Sequence, residues 1–411
     1  MALDVGTTTL AAYLFDLTSG RQLGSAASRN PQRRFGADVI TRIAHVRRES
    51  REGLGELHTA VIEGLNTLLG QLSEKAGISP DRIYEAKVVG NPTMIHLFLG
   101  IDPRGIDVSP YAPVVGQRVL CRAGDVGLAM HPCGVVETLP AISAYVGADI
   151  VAGILATDIQ RSEANTLFLD VGTNGEMVLA LGNRLIACST AAGPAFEGAS
   201  IVQGMAALDG AIETVRVHGG RIDCSVIGGA VPTGLCGTGL LSAVAELLSA
   251  GLIDRTGRFS DAGSRLADRL DGEGKDRRVR LTDGAEPVYL YQQDVREFQL
   301  AKAAVRSGIE VLLQYAGLRA EDLARVLIGG AFSTRLSPAH LMETGFLPRV
   351  DVARIHVVGN TAGQGAKQAL LNQQMMGRVD EIARSVVYIE LSSDQDFNES
   401  FVEQIPFPAA G

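Results

Sequence analysis

A duplicated α/β architecture is the fold class this sequence predicts, with two halves that each open on a strand, a glycine turn and a second strand. Three observations lead there. The stretch Leu3-Asp4-Val5-Gly6-Thr7-Thr8 returns as Leu169-Asp170-Val171-Gly172-Thr173-Asn174. One repeat at such a distance marks duplicated domains rather than a solenoid of short units. Apolar strands that end in glycine turns and lead into helices recur along the chain, the pattern of α/β units. Finally, 411 residues give room for two buried cores rather than one. Residues 1–160 are expected to form the first half, with an insertion near 100–140, and residues 161–411 the second.

The elements follow in order. Ala2–Val5 and Leu10–Asp16 flank Gly6-Thr7-Thr8-Thr9 as a hairpin. Over residues 54–76, Leu54, Leu57, Val61, Leu65, Leu68 and Leu72 recur at three- and four-residue spacings, an amphipathic helix that stops near Gly77. Val88-Val89-Gly90-Asn91-Pro92-Thr93 reads as a strand, a turn and a helix start. Between Gly100 and Pro140, proline and glycine interrupt the periodicity, which predicts loops and short strands. Helical spacing returns over 141–160, with Asn165 as its exit, and the second hairpin follows at 166–181. Helices are expected at Leu240–Leu248 and Gln299–Tyr315, with a polar surface excursion at 254–283 between them. Val326–Ala331 and Ile355–Asn360 read as strands, the latter leading into a helix over Gly363–Leu371.

Composition excludes several classes. The chain carries 46% apolar and 20% charged residues, 48 glycines and no tryptophan, the profile of a folded globular protein. With 37 basic against 46 acidic side chains the net charge is −9, which argues against nucleic acid or an anionic membrane as partner. The basic run Arg42–Arg51 also carries Glu49 and is expected to be a solvated helix face. The five cysteines, Cys121, Cys133, Cys188, Cys224 and Cys236, show neither a disulfide framework nor a C-x-x-C metal pattern, and a cytoplasmic setting is expected. There is no signal-peptide pattern and no apolar run of membrane-spanning length. His96 reads as a satisfied structural histidine; His131 lacks the second Cys/His pair a metal site needs.

A strand, a tight Asp-x-Gly-Thr turn and a second strand present successive backbone N–H groups and hydroxyls to an anion with no bulky side chain in the way. Phosphate suits Gly6, Thr7, Thr8 and Thr9, and again Gly172, Thr173, Asn174 and Gly175. The aspartates would repel phosphate, but each can hold Mg²⁺ through water. Asp4 and Asp170 are therefore the candidate metal and catalytic pair. Glu176 and Glu197 are further candidates to orient or deprotonate a nucleophile, and residue spacing does not rank the four carboxylates. Asn91 and Gly193 lie in two other turns of this kind and are counted with the nucleotide-binding positions. Gly237-Thr238-Gly239 opens a helix and offers an anion or ribose site. Gly329-Gly330-Ala331-Phe332 closes an apolar strand and would admit a nucleoside. Neither a phosphate loop ending in Gly-Lys-Ser/Thr nor a dinucleotide fingerprint is present.

Taken in order, these motifs resemble the acetate and sugar kinase, heat-shock chaperone and actin superfamily. Asp4–Thr9 is similar to its first phosphate motif, Val88–Thr93 to its first connecting motif and Asp170–Glu176 to its second phosphate motif. Leu327–Phe332 resembles its adenosine motif and Gly359–Ala366 its second connecting motif. The resemblance implies duplicated actin-like, ribonuclease H-like ATPase domains around a central nucleotide cleft, with ATP and Mg²⁺ as ligands. Within that superfamily, Ala192-Gly193-Pro194-Ala195-Phe196-Glu197-Gly198-Ala199, Gly204-Met205, Gly234–Leu240 and the closing Phe401–Pro408 resemble the reductive activators of corrinoid-dependent methyltransferases and of the corrinoid iron–sulfur protein. That resemblance implies an ATPase that helps return a Co(II) corrinoid to Co(I), a corrinoid protein as partner, and a homodimer. Members usually carry an N-terminal ferredoxin-like domain with a [2Fe–2S] cluster. The cysteines here lack that spacing and the chain begins within its first predicted strand, so upstream sequence is expected to have been removed and the electron must come from elsewhere. The rival expectations are a small-molecule kinase using the same cleft and a nucleotide-gated interaction module with negligible catalysis.

Overall fold

The computed structural model describes residues 1–261, 265–330 and 336–409. β1 (Ala2–Val5) and β2 (Thr9–Phe15) pair antiparallel, Asp4 opposite Ala11 and Val5 opposite Leu10, and β3 (Gln22–Arg29) extends the meander. α1 (Val39–Ala76) starts at a capping box of Asp38 with Thr41 and ends at Gly77 in the left-handed conformation. It begins well before Leu54, because a break at Ser50, φ 57°, joins an N-terminal segment to the helix that the leucine spacing predicts. β4 (Glu85–Val89) and α2 (Pro92–Leu99) follow, with Asn91 as the N-cap of α2. The loop region from Gly100 to Pro140 holds only β5 (Leu120–Arg122), the single turn α3 (Ala123–Val126) and β6 (Val135–Thr138). These strands form a six-stranded sheet of order β3-β2-β1-β4-β6-β5, with β4 parallel to both β1 and β6. Leu3, Leu10, Leu65, Val88 and Phe98 belong to the apolar core packed on it.

α4 (Ala148–Thr157) is shorter than the spacing over 141–160 predicts. Residues 142 and 143 instead fold into a turn in which both amides reach the Val146 carbonyl. Gly147 then lies so near Gly90 and Asn91 that a Cβ would sit 2.6 Å from the Asn91 Cα, which fixes where the helix starts. The exit is Asp158, φ 54°, not Asn165.

β7 (Thr166–Val171), β8 (Gly175–Leu181) and β9 (Arg184–Thr190) repeat the opening meander. β10 (Ala211–His218), β11 (Arg221–Val226) and β12 (Gly234–Leu235) make a small sheet beside α5 (Gly237–Ser249). The stretch 254–283 is more than a surface excursion: β13 (Leu270–Asp271) pairs with β14 (Arg278–Arg280), which pairs with β15 (Tyr289–Tyr291), and Phe259, Leu266, Val279 and Leu281 are buried. α6 (Gln292–Ala316), β16 (Arg325–Gly329), α7 (Pro338–Glu343) and β17 (Ile355–Gly359) follow, then α8 (Thr361–Leu371), α9 (Gln374–Ser385), β18 (Val386–Tyr388) and α10 (Gln395–Gln404). The second six-stranded sheet runs β17-β16-β7-β8-β9-β18, with β7 parallel to β16.

The fold divides into two compact units. One holds Met1–Glu163, Ala180–Ala187 and Asn360–Ile389; the other holds Ala164–Leu179, Cys188–Gly359 and Glu390–Gly411. In the first, α4 packs on α8 at such close range that a Cβ on Gly365 would lie 2.1 Å from the Ala152 carbonyl oxygen. Among the described residues no helix is long and apolar enough to cross a membrane.

Candidate functional site

The first hairpin loop is closed by the Gly6 amide donating to the Thr9 carbonyl at 3.0 Å, and a Cβ on Gly6 would meet that oxygen at 2.6 Å. The loop is fastened from behind by four side chains. Asn91 Nδ2 donates to Thr7 Oγ1 at 2.9 Å while its Oδ1 caps α2 at the Met94 amide. Asn30 Nδ2 donates to the Gly6 carbonyl at 2.9 Å. Arg42 donates to the Thr7 carbonyl at 2.6 Å, to the Gly36 carbonyl at 3.0 Å and to Gln32 Oε1 at 3.0 Å. Asn360 Nδ2 donates to Asp4 Oδ2 at 2.9 Å, and its Oδ1 caps α8 at the Gly363 amide. Burial pushes the Asp4 carboxyl up to about 6, against the lowering effect of the Asn360 bond. Thr7 is buried, Thr8 half-buried and Thr9 exposed, so only the outer rim of the turn faces solvent.

Arg42 corrects the expectation for the basic run. Arg47, Arg48 and Arg51 are exposed, but Arg42 is fully buried. Val39, Ile43 and Val46 are also buried at helical spacing, which puts Arg42 on the apolar face of α1, and its bonds to the loop compensate its burial.

The second loop is held differently. The Gly172 amide donates to the Asn174 carbonyl at 2.9 Å, and Thr173 Oγ1 donates to Glu197 Oε2 at 2.9 Å. Glu197 ends a 3₁₀ turn, Pro194–Glu197, set between Gly193 at φ 77° and Gly198 at φ 74°. The structure thus brings Thr173 and Glu197 together in one unit. Glu176 and Thr173 are buried; Asp170, Gly172 and Asn174 are half-buried. A Cβ on Gly175 would press on Val305 at 2.8 Å and Thr190 at 3.0 Å, so this glycine also serves packing. Asp170 stands opposite Gly329 in the β7–β16 register. Gly330, φ 110°, lies where a Cβ would come 2.5 Å from the Val171 carbonyl. Ala331 and Phe332, the other half of that glycine turn, lie outside the described residues.

Gly237 and Gly239 are close-packing glycines: a Cβ would lie 1.9 Å from the Phe196 carbonyl oxygen and 2.0 Å from that of Ile212. Thr238, between them, lines a cavity of about 270 Å³ bounded by β10, α5 and α7. Its polar lining includes Glu213, Arg216, Ser242, Glu246 and His340. His340 Nε2 stands 3.4 Å from Glu246 Oε1, and its Nδ1 is buried with no hydrogen-bond partner among the described residues. Sequence reasoning missed this cavity, since its residues come from three separated segments. His96 is buried; its Nε2 accepts from the Val115 amide at 3.2 Å, so Nδ1 carries the proton donated to the Pro92 carbonyl at 2.7 Å. His131 Nδ1 accepts from the Cys133 amide.

Each loop, within its own unit, is built of glycine, threonine and, in the second, asparagine, and the cavity beside Thr238 has a polar lining. Among the described residues no cluster of three or more His, Cys, Asp or Glu could cage a metal. Asp4 and Asp170 each offer a single carboxylate, the kind of donor that accompanies water and phosphate oxygens around Mg²⁺.

Two glycine-threonine hairpins on two six-stranded sheets define a protein of the ASKHA class. Residues 164–411 match the family described as the C-terminal domain of RACo, the ASKHA domain, and residues 1–162 match the RACo middle region. The chain is 34% identical over 417 residues, 99% of its length and 70% of the relative's, to corrinoid activation enzyme RamQ of Eubacterium limosum. It is 26% identical over 450 residues to the [Co(II) methylated amine-specific corrinoid protein] reductase of Methanosarcina barkeri, covering 100% of this chain and 77% of that one. A solved reductive activator for corrinoid, iron–sulfur protein superposes with a TM-score of 0.92 at 38% identity, across 99% of this chain. The chain spans 65% of the length of that solved activator. It belongs to the family of RACo-like reductive activators.

Proposed function

We propose that this chain binds Mg-ATP and uses its binding and hydrolysis to help return the cobalt of a partner corrinoid protein from Co(II) to Co(I). Family membership supports the corrinoid half of this reading, and the Thr173–Glu197 bond at the second loop carries the ATPase half. A carboxylate fixed beside a phosphate-type turn is placed to orient or deprotonate an attacking water. Asp4 and Asp170 organise the magnesium ion, which when bound neutralises charge on the transferring phosphoryl group. Thr7, Thr8 and Thr9 with Gly6, and Thr173, Asn174 and Gly175 with Gly172, hold phosphates. Asn91 sets the first turn and Gly193 shapes the turn that carries Glu197. The cavity at Thr238, with Gly329, Gly330, Ala331 and Phe332, receives the nucleoside. Glu176, buried on the second hairpin, supports that loop.

Co(I) formation consumes one electron, which a [2Fe–2S] ferredoxin-type donor supplies. We further place the two functional halves at 1–160 and 161–411, in a cytoplasmic homodimer. The test is ATP hydrolysis by wild type and Asp170→Ala, with and without a corrinoid protein. Turnover stimulated by that protein and abolished in the variant is expected. Absence of both ATP binding and hydrolysis in the wild type would sink the reading. Fast phosphoryl transfer to a sugar or carboxylate would favour a kinase instead.

A further inference from the structure

Residues 405–409, after α10, have no regular secondary structure, yet side chains hold the backbone from 404 to 407. The carbonyls of Gln404, Ile405, Pro406 and Phe407 each accept a hydrogen bond from a side chain. Lys302, on α6, donates to those of Gln404 and Pro406, the latter at 2.7 Å. Gln299 Nε2 donates to Ile405 at 3.1 Å, and Arg255 Nε to Phe407 at 3.0 Å. The Phe407 amide closes the set on the Arg255 carbonyl at 2.9 Å. Lys302 is buried, and among the described residues no carboxylate pairs with it. Its Nζ also stands 5.3 Å from the centre of the Phe407 ring; burying an ammonium without a carboxylate is costly, and the fold places it where it fastens the tail.

Fastening the tail buries the Phe407 ring. That ring lies 6.3 Å from Phe298, which meets Phe196 edge-on at 5.6 Å; Phe346 meets Phe196 from another side at 5.3 Å. Phe196 precedes Glu197 in the 3₁₀ turn, and its carbonyl is pressed by Gly237 at the start of α5. Contact is therefore continuous from the tail through three aromatic rings to the carboxylate that accepts from Thr173.

We infer that the C-terminal segment 404–408 is a positioning strap for Glu197, with Phe407 acting through Phe298 and Phe196 to hold that carboxylate at the second phosphate loop. The role of Glu197 rests on the function proposed above, whereas the mechanical link does not. Packed rings have discrete arrangements and transmit displacement poorly only where voids intervene.

The test is made in the full 411-residue chain with Phe407→Ala, and with Phe407→Leu, which fills more of the ring's space should the alanine variant fail to fold. Amide exchange at 172–174 and 194–198 should accelerate at least tenfold while exchange at 6–9 stays unchanged. In ATP hydrolysis, kcat should fall about tenfold or more with nucleotide Kd within twofold. In a Glu197→Gln background Phe407→Ala should cost no further turnover, because both changes act on one group. Unaltered exchange at 172–174 overturns the strap whatever the chemistry of the site. Accelerated exchange in a protein that never hydrolyses ATP leaves the strap standing and sinks the ATPase reading. Turnover losses that multiply in the double variant overturn action through Glu197.

Discussion

Arg42→Met removes the guanidinium that ties the first loop to α1. Methionine fills much of the vacated volume, so a cavity is not the leading effect. What remains is hydrogen bonding. Gln32 Oε1 keeps the Asn30 amide at 3.1 Å as donor, but the Thr7 and Gly36 carbonyls lose the bonds at 2.6 and 3.0 Å. Leaving the buried Thr7 acceptor unsatisfied costs about 1–3 kcal/mol, and the part-buried Gly36 acceptor less. Removing a buried cation returns part of its desolvation cost, and the net expectation is a loss of about 3 kcal/mol. Arg42→Lys should recover little, since an ammonium cannot reproduce the forked donor geometry that serves three acceptors at once. The assay is native-state amide exchange at residues 5–10, with urea unfolding of the same samples and the amides of the β7–β8 hairpin as internal reference. Nucleotide affinity should weaken about tenfold, equivalent to ~1.4 kcal/mol, through loss of loop order. Stability within about 0.5 kcal/mol of wild type, the range of a neutral surface change, together with unchanged exchange at 6–9, would refute the idea that Arg42 holds this loop.

Two further predictions concern pH. Asp4 has its carboxyl raised from 3.8 to about 6 by burial. Between those values the folded chain holds more protons than the unfolded one, so stability falls as pH rises through this window and the penalty is complete above it. Asp4→Asn should therefore raise the melting temperature of the nucleotide-free chain at pH 7.5, by up to about 3 kcal/mol in stability, with the advantage vanishing near pH 4. The same variant should bind Mg-nucleotide more weakly, whereas a purely structural aspartate would leave that affinity unmoved. Lys302 is shifted the other way, from 10.5 to about 7, chiefly by burial and then by the Arg306 charge. The unfolded chain holds the extra proton between those values, so stability rises with pH from about 7 to 10. A neutral amine still has two protons for its two carbonyls. Limited proteolysis at the tail should slow over that range in wild type and show no such dependence in Lys302→Met.

Local pattern made the hairpins, α2, β16 and the loop region after Gly100 readable in the sequence. Each is written in contiguous residues: alternating apolar positions, a glycine turn, or an Asn-Pro helix start. Where the reading failed, the deciding contact was distant. The helix expected from 141 starts at Ala148 because Gly147 is wedged against Gly90 and Asn91, a constraint that periodicity cannot contain. Arg42 was assigned to solvent by its basic neighbours, although Val39, Ile43 and Val46 carried a periodic signal that it lies on the buried face. The cavity at Thr238 gathers Glu213, Glu246 and His340 from three elements, and none of the three has a neighbour that marks it. Asn360 was within reach: like Asn91, it follows a strand and a glycine and caps the helix after it.

Near identity of the two hairpins in sequence conceals a difference in what supports them. Around Gly6–Thr9 the donors are amides and a guanidinium, from Asn30, Asn91 and Arg42, each aimed at a loop oxygen. Such groups fix backbone and can neither give up nor take a proton near neutral pH. Thr173 instead donates to Glu197, a carboxylate whose turn is braced by Phe196. On the function proposed above, the first loop holds the nucleotide and the second serves the reaction. Thr7→Val should accordingly raise the nucleotide Kd several-fold with kcat little altered, because it breaks the tie to Asn91 without touching a titratable group. Glu197→Gln should do the reverse, lowering kcat by about a hundredfold, the scale of general-base catalysis, at nearly unchanged Kd. Equilibrium nucleotide titration beside steady-state hydrolysis separates the two, and equal losses of affinity and turnover in both variants would mean that the loops share one role despite their different supports.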